Sequence, residues 1–86
     1  MRELERTDRF KKLYERLPRS IRKKVKRQLK FLAEDIRHPS LYAKKMRGRG
    51  GIWEARVDFH HRLTFRMTGD RIILRAVGPH DLLKKP

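Results

Sequence analysis

Phe10, Leu13, Tyr14 and Leu17 recur at i, i+3, i+4 and i+7, the spacing of one face of an α-helix. Thr7 and Asp8 both offer N-cap oxygens ahead of that run, after a short extended start over residues 2–6. Pro18 interrupts the pattern, because proline is tolerated in a first turn but not in mid-helix. A second helix then takes Ile21, Val25, Leu29, Leu32 and Ile36 as its apolar stripe, with Arg22, Lys23, Lys24, Lys26, Arg27 and Lys30 on its other faces. His38-Pro39 is its stop signal, since the residue before a proline is driven out of the α region. The short joint predicts two antiparallel helices.

From Tyr42 the period changes to 2. Lys44 to Arg47 predict a first strand, running into a flexible connection at Gly48-Arg49-Gly50-Gly51. Trp53, Ala55, Val57 and Phe59 then alternate with Glu54, Arg56 and Asp58. His60-His61 marks a turn, after which Leu63, Phe65 and Met67 alternate with Arg62, Thr64 and Arg66. Gly69-Asp70 marks another turn, and Ile72, Ile73, Leu74, Ala76 and Val77 form a run apolar on nearly both faces, which suits an interior strand. Tight turns make these strands an antiparallel meander. The helices need an apolar surface to cover, and the sheet offers Trp53, Val57, Leu63, Phe65 and Met67. The other face then presents Glu54, Arg56, Arg62, Thr64 and Arg66 to solvent. The prediction is one α+β domain over residues 1–86: a short N-terminal strand and two antiparallel helices on one face of a mainly antiparallel sheet of three to five strands.

Composition sharpens the question of what that face meets. The 86 residues carry 25 Lys+Arg against 10 Asp+Glu, a formal net charge of +15. With 37% hydrophobic and 41% charged residues the balance invites disorder, but the ordered periods argue for a fold. Zero cysteines exclude a disulfide framework, a zinc ribbon, an iron–sulfur cluster and a thiol nucleophile. No apolar run approaches the ~18 residues of a membrane span, and a signal-peptide stretch is missing, so a cytoplasmic protein without a membrane partner is expected.

Arginine donates in a planar fork and stays charged, so Arg56, Arg62 and Arg66 on one sheet face suit phosphate. The high net charge would draw polyanions in a salt-dependent way, and nucleic acid is the favoured partner of this cluster. The bland alternative is that these arginines solvate the face and pair with Glu54 across strands. His80 follows Val77-Gly78-Pro79, where the last strand must end beside that face, and its imidazole can exchange a proton near neutrality. RNA carries its own nucleophile, the 2′-hydroxyl, so cutting it needs only a base, a cation on the phosphoryl oxygens and an acid. Glu54, the arginines and His80 could supply these functions in that order, leaving a 2′,3′-cyclic phosphate. No cofactor is implied. His60 and His61 beside Asp58 supply too few ligands for a metal site, and Gly48-Arg49-Gly50-Gly51 lacks the Lys-Ser/Thr and helix of a phosphate-cradling loop. Trp53 reads as core, with base stacking as the alternative.

The order of elements resembles the RelE/ParE toxin superfamily of type II toxin–antitoxin systems. Lys45-Met46-Arg47-Gly48 is similar to its Lys-Leu-Arg-Gly segment, and Trp53-Glu54-Ala55-Arg56-Val57 to the strand that follows. His61-Arg62-Leu63-Thr64-Phe65 is similar to its Tyr/His-Arg-Leu-Val-Tyr strand, and Ala76-Val77-Gly78-Pro79-His80-Asp81 to its closing strand and turn. The resemblance implies a RelE/YoeB/HigB-like mRNA interferase acting in the ribosomal A site, with mRNA, ribosomal RNA and a cognate antitoxin as partners. It places Arg62 on the scissile phosphate and His80 at the position of the acid, and Glu54 and Arg56, on the strand where RelE-like members carry basic residues, are the other catalytic candidates. Lys44, Lys45, Arg47, Arg66 and Arg75 are then the RNA-binding cations. Glu54 departs from the basic residue of RelE-like members, although some HigB-like members carry a Trp-Glu-like pair. Lys44-Lys45 stand where YoeB-like members carry an acidic base. The C-terminal tyrosine of several active members has no counterpart in Leu82-Leu83-Lys84-Lys85-Pro86. Two alternatives stay open: a ParE-like inhibitor of DNA gyrase, and a non-catalytic RNA- or ribosome-binding module.

Overall fold

A computed structural model describes residues 1–48 and 50–83. Arg49 of the glycine-rich connection and residues 84–86 of the C-terminal stretch lie outside the described residues. The chain runs through β1 (Glu3–Arg6), α1 (Asp8–Glu15), α2 (Arg19–Glu34), a 3-10 turn (Pro39–Leu41), β2 (Lys44–Lys45), β3 (Ile52–Arg56), β4 (His61–Thr68), β5 (Arg71–Pro79) and α3 (His80–Leu83). The strands form one sheet in the order β1-β5-β4-β3-β2. β1 lies parallel to β5, and every other neighbouring pair is antiparallel.

Helix α1 starts where Thr7 caps it, the hydroxyl accepting from Phe10 N at 3.2 Å. Pro18 is the N-cap of α2 and supplies no side-chain oxygen, so that end has no side-chain cap bond. The second helix stops at Glu34, ahead of the His38-Pro39 signal. Asp35 takes an extended conformation and its side chain accepts from Arg37 N at 2.9 Å, which leaves Ile36 outside the helix although it still lies against the core.

Phe10 from α1 and Val25, Leu29 and Leu32 from α2 form one buried cluster with Ala55, Val57, Leu63, Phe65, Ile72, Leu74 and Val77 from the sheet. Register explains the membership. Trp53 stands opposite Phe65, Ala55 opposite Leu63, and Leu63 opposite Val77, so all point to the helix side. The alternate pairs Glu54–Thr64 and Arg56–Arg62 therefore belong to the other face. Burying large side chains such as Phe10 and Phe65 contributes roughly 1.5–3 kcal/mol each before cavity effects.

Three expectations need correction. The first meander strand is Lys44–Lys45 only, because the chain turns at Arg47 and Gly48 and Gly48 adopts φ 68°. His61 begins β4 rather than completing a turn. The far sheet face is not a uniformly solvated wall: Arg62 is 9% exposed and Thr64 3%, whereas Arg66 is exposed.

Candidate active site

β2, β3, β4 and the end of β5 meet at a concavity of ≈ 400 Å³ lined by Tyr42, Ala43, Lys44, Glu54, Arg56, Arg62 and His80. Strand register puts its charged members together. Lys44 is the cross-strand partner of Glu54, and Arg56 is that of Arg62. His80 follows because Arg62 lies opposite Gly78 and His61 opposite Pro79, so β5 ends at the start of β4. The His80 N–H donates to the His60 carbonyl at 2.8 Å, which fixes where α3 begins.

Arg62 is held more tightly than a surface cation. Its Nη1 donates to the carbonyls of Asp58, Phe59 and His61 at 2.6, 3.1 and 2.9 Å. Its Nε lies 3.8 Å from the Glu54 carboxylate. The guanidinium thus folds back into the β3–β4 turn and presents a fixed positive charge to the floor of the concavity. That turn is organised by Asp58, whose carboxylate accepts from His60 N at 2.9 Å, His61 N at 2.8 Å and His61 Nδ1 at 2.9 Å. Lys24 reaches it from α2 at 3.3 Å. Burial opposes ionisation of Asp58, but the bonds from the His61 ring, His60 N, Lys24 and His61 N outweigh it and hold the pKa at about 2.

Arg56 is held by an aromatic face. Its guanidinium carbon lies 4.1 Å from the centre of the Tyr42 ring, within cation–π range, and its Nε is buried without a hydrogen-bond partner. Gln28 steadies the strand beneath: its Nε2 donates to the Arg56 carbonyl at 2.9 Å and to the Ser40 carbonyl at 3.1 Å.

The remaining expected cations are spread out. Lys44 lines the concavity, whereas Lys45 pairs with Trp53 and so belongs to the helix side of the sheet. Arg47 is exposed in the turn after β2. Arg66 lies further along β4, with its Nη1 on the Gly50 carbonyl at 2.9 Å. Arg75 is the extra residue of a bulge, since Thr64 pairs with Ala76 and Phe65 with Leu74. Burial and the facing charges of Arg66 and Arg9 push its pKa down from the usual arginine value. Arg75 on β5 thus feels the positive charges of Arg66 on β4 and Arg9 on α1.

Sequence reasoning missed Tyr42, Ala43 and the Asp58 turn. For Asp58 the signal was present, because aspartate two and three residues ahead of an exposed turn commonly caps its N–H groups. Tyr42 carried none, since a left-handed residue between two apolar neighbours breaks no periodic pattern. Among the described residues no three His, Cys, Asp or Glu side chains come together as a metal site, and no helix is long and apolar enough to cross a membrane.

No protein-family model and no curated protein matches the sequence. Solved structures do match by shape. YafQ from E. coli strain BL21(DE3) is similar at a TM-score of 0.80 and 18% identity, over 96% of this chain and 98% of that one. The YoeB/ParE toxin from Agrobacterium tumefaciens gives 0.77 and 19%, over 91% of this chain and 98% of that one. A chain of the RelB–RelE antitoxin–toxin complex from Methanococcus jannaschii gives 0.76 and 22%, over 93% and 94%. Such agreement end to end, at identities this low, is agreement of fold: this chain shares the fold of these YafQ, YoeB/ParE and RelE structures.

Proposed function

We propose that this chain is the toxin of a toxin–antitoxin pair and a ribosome-dependent mRNA endonuclease. The observation that carries this reading is the convergence of Glu54, Arg56, Arg62 and His80 on one concavity open to a ligand. Glu54 takes the proton of the 2′-hydroxyl, and the 2′-oxygen forms its bond to phosphorus as the bond from phosphorus to the 5′-oxygen breaks. The His80 imidazolium gives its proton to that departing oxygen. Arg62, immobilised by three carbonyls, and Arg56, backed by Tyr42, offset the charge that gathers on the non-bridging oxygens. The products are a 2′,3′-cyclic phosphate and a 5′-hydroxyl, and solvent resets Glu54 and His80. The step balances without metal or cofactor.

A cognate antitoxin is part of the proposal. The E. coli neighbour is also known in a DinJ–YafQ toxin–antitoxin complex, and the M. jannaschii one in a RelB–RelE complex. A formal charge of +15 favours an acidic segment that folds as it binds.

The test is a translating extract supplied with the protein. Truncated mRNA bearing cyclic-phosphate ends is expected, persisting under EDTA while ribosomes remain intact. His80→Gln should lower cleavage about 10²–10⁴-fold, the usual range for a positioned acid. Blocked gyrase supercoiling with intact mRNA would transfer the chain to the ParE-like class. Ribosome binding without scission would leave a non-catalytic binding module.

A further inference from the structure

Tyr42 is the single non-glycine residue with positive φ among the described residues, at φ 45° and ψ 41°. A bulky side chain there is strained, by order of 1–3 kcal/mol, and glycine or asparagine would relieve it. The strain is fixed from both sides: Leu41 is fully buried, and Ala43 lies against the core cluster. The corner between them thrusts out a tyrosine ring that is 63% exposed. One face of the ring covers the Arg56 guanidinium at 4.1 Å, and the ring lines the same concavity as Glu54 and His80. The cation–π contact is worth about 0.5–1 kcal/mol at an exposed site, no more than the strain it would have to offset, so fold stability alone does not account for the displayed ring.

We propose that Tyr42 is a stacking platform for one unpaired nucleobase of the RNA substrate, seated beside the phosphate that the concavity holds. This rests on the endonuclease reading. Aromatic rings accept any base, because every base has a π face, and the contact sets where the neighbouring phosphate lies. Arg56 beneath the ring makes a guanidinium–tyrosine–base stack that joins the base contact to the phosphate contact. Tyr42 would thus fix which nucleotide is presented to Glu54 and His80.

The experiment compares the wild-type chain with Tyr42→Phe, Tyr42→Ala and Tyr42→Gly on ribosomes programmed with mRNA. A matched mRNA set is made abasic at one A-site nucleotide at a time. Thermal midpoints establish that each variant is folded, with Tyr42→Gly at least as stable as Tyr42→Ala because glycine removes the strain. Tyr42→Phe should cleave as the wild type does. Tyr42→Ala and Tyr42→Gly should lose roughly 5- to 150-fold in kcat/KM on intact mRNA, the range that one stacked base supplies. On the mRNA lacking the stacked base they should lose nothing further relative to wild type. An equal loss on every abasic mRNA would mean that Tyr42 only positions Arg56, and would overturn the proposal. So would no loss at all. A wild-type chain that leaves all mRNA whole removes the endonuclease reading, and this inference with it.

Discussion

Asp58 and Arg62 grip one another through the backbone: the Arg62 Nη1 donates to the Asp58 carbonyl at 2.6 Å, across the turn that the Asp58 carboxylate itself caps. A candidate catalytic cation is therefore also a structural one. Arg62→Ala would strand three carbonyls and leave the largely buried Glu54 without its counter-charge. A loss of about 2–4 kcal/mol in unfolding free energy is expected, read by urea denaturation, together with loss of cleavage. Arg62→Lys keeps the charge but not the fork, and should fall between wild type and Arg62→Ala in both measurements.

The same turn gives the chain an acid-sensitive contact. Asp58 has its pKa lowered from 3.8 to about 2 in the folded chain. A depressed carboxylate stabilises the fold above its unfolded pKa, and that contribution disappears as pH falls through the folded value. The urea midpoint should decline between about pH 4 and pH 2. Asp58→Asn should lie below wild type at pH 7 and show a shallower decline across that window. Equal slopes would show that Asp58 does not carry the effect.

Gln28 ties the second helix to the site. Its amide serves the Ser40 and Arg56 carbonyls at 3.1 and 2.9 Å, and the residue is 6% exposed. Gln28→Leu fills similar space but leaves both acceptors unpaired, so a loss of about 2–3 kcal/mol is expected in chemical denaturation. Cleavage at saturating ribosomes should drop as well, because Arg56 sits on the freed carbonyl.

Thr7 joins the start of the chain to its end. Its hydroxyl accepts from Phe10 N at 3.2 Å and donates to the Leu74 carbonyl at 2.8 Å. Thr7→Ala should cost about 1–2 kcal/mol, while Thr7→Ser should stay within about 0.5 kcal/mol of wild type. Thermal denaturation of the two variants side by side reads the difference.

Much of this architecture is legible in the sequence, and the reasons for success and failure are physical. Phe10, Val25, Leu29 and Leu32 follow the helix period because water drives that stripe onto the sheet. Trp53, Leu63 and Phe65 follow the strand period for the same reason. The placement of Glu54, Arg56 and Arg62 on the opposite face is then a matter of parity. Burial of Arg62 escaped, because alternation assigns a face but not what covers it, and here backbone carbonyls do. Lys45 was grouped with Lys44, yet adjacent strand residues point opposite ways, and register settles which one meets Glu54. The Arg75 bulge escaped because one unpaired residue inside an apolar run leaves no trace in composition.

The parallel seating of β1 against β5 has a consequence for synthesis. Glu3 meets Arg71 and Arg6 meets Leu74, so a strand made before both long helices pairs with one made after the rest of the sheet. Helical turns can form as they emerge, but the sheet must wait for contacts distant along the chain, and such long closures are slow. A nascent chain arrested before β5 lacks the strand that β1, β4 and the His80 corner all lean on, so the charged concavity assembles only after β5 has been made.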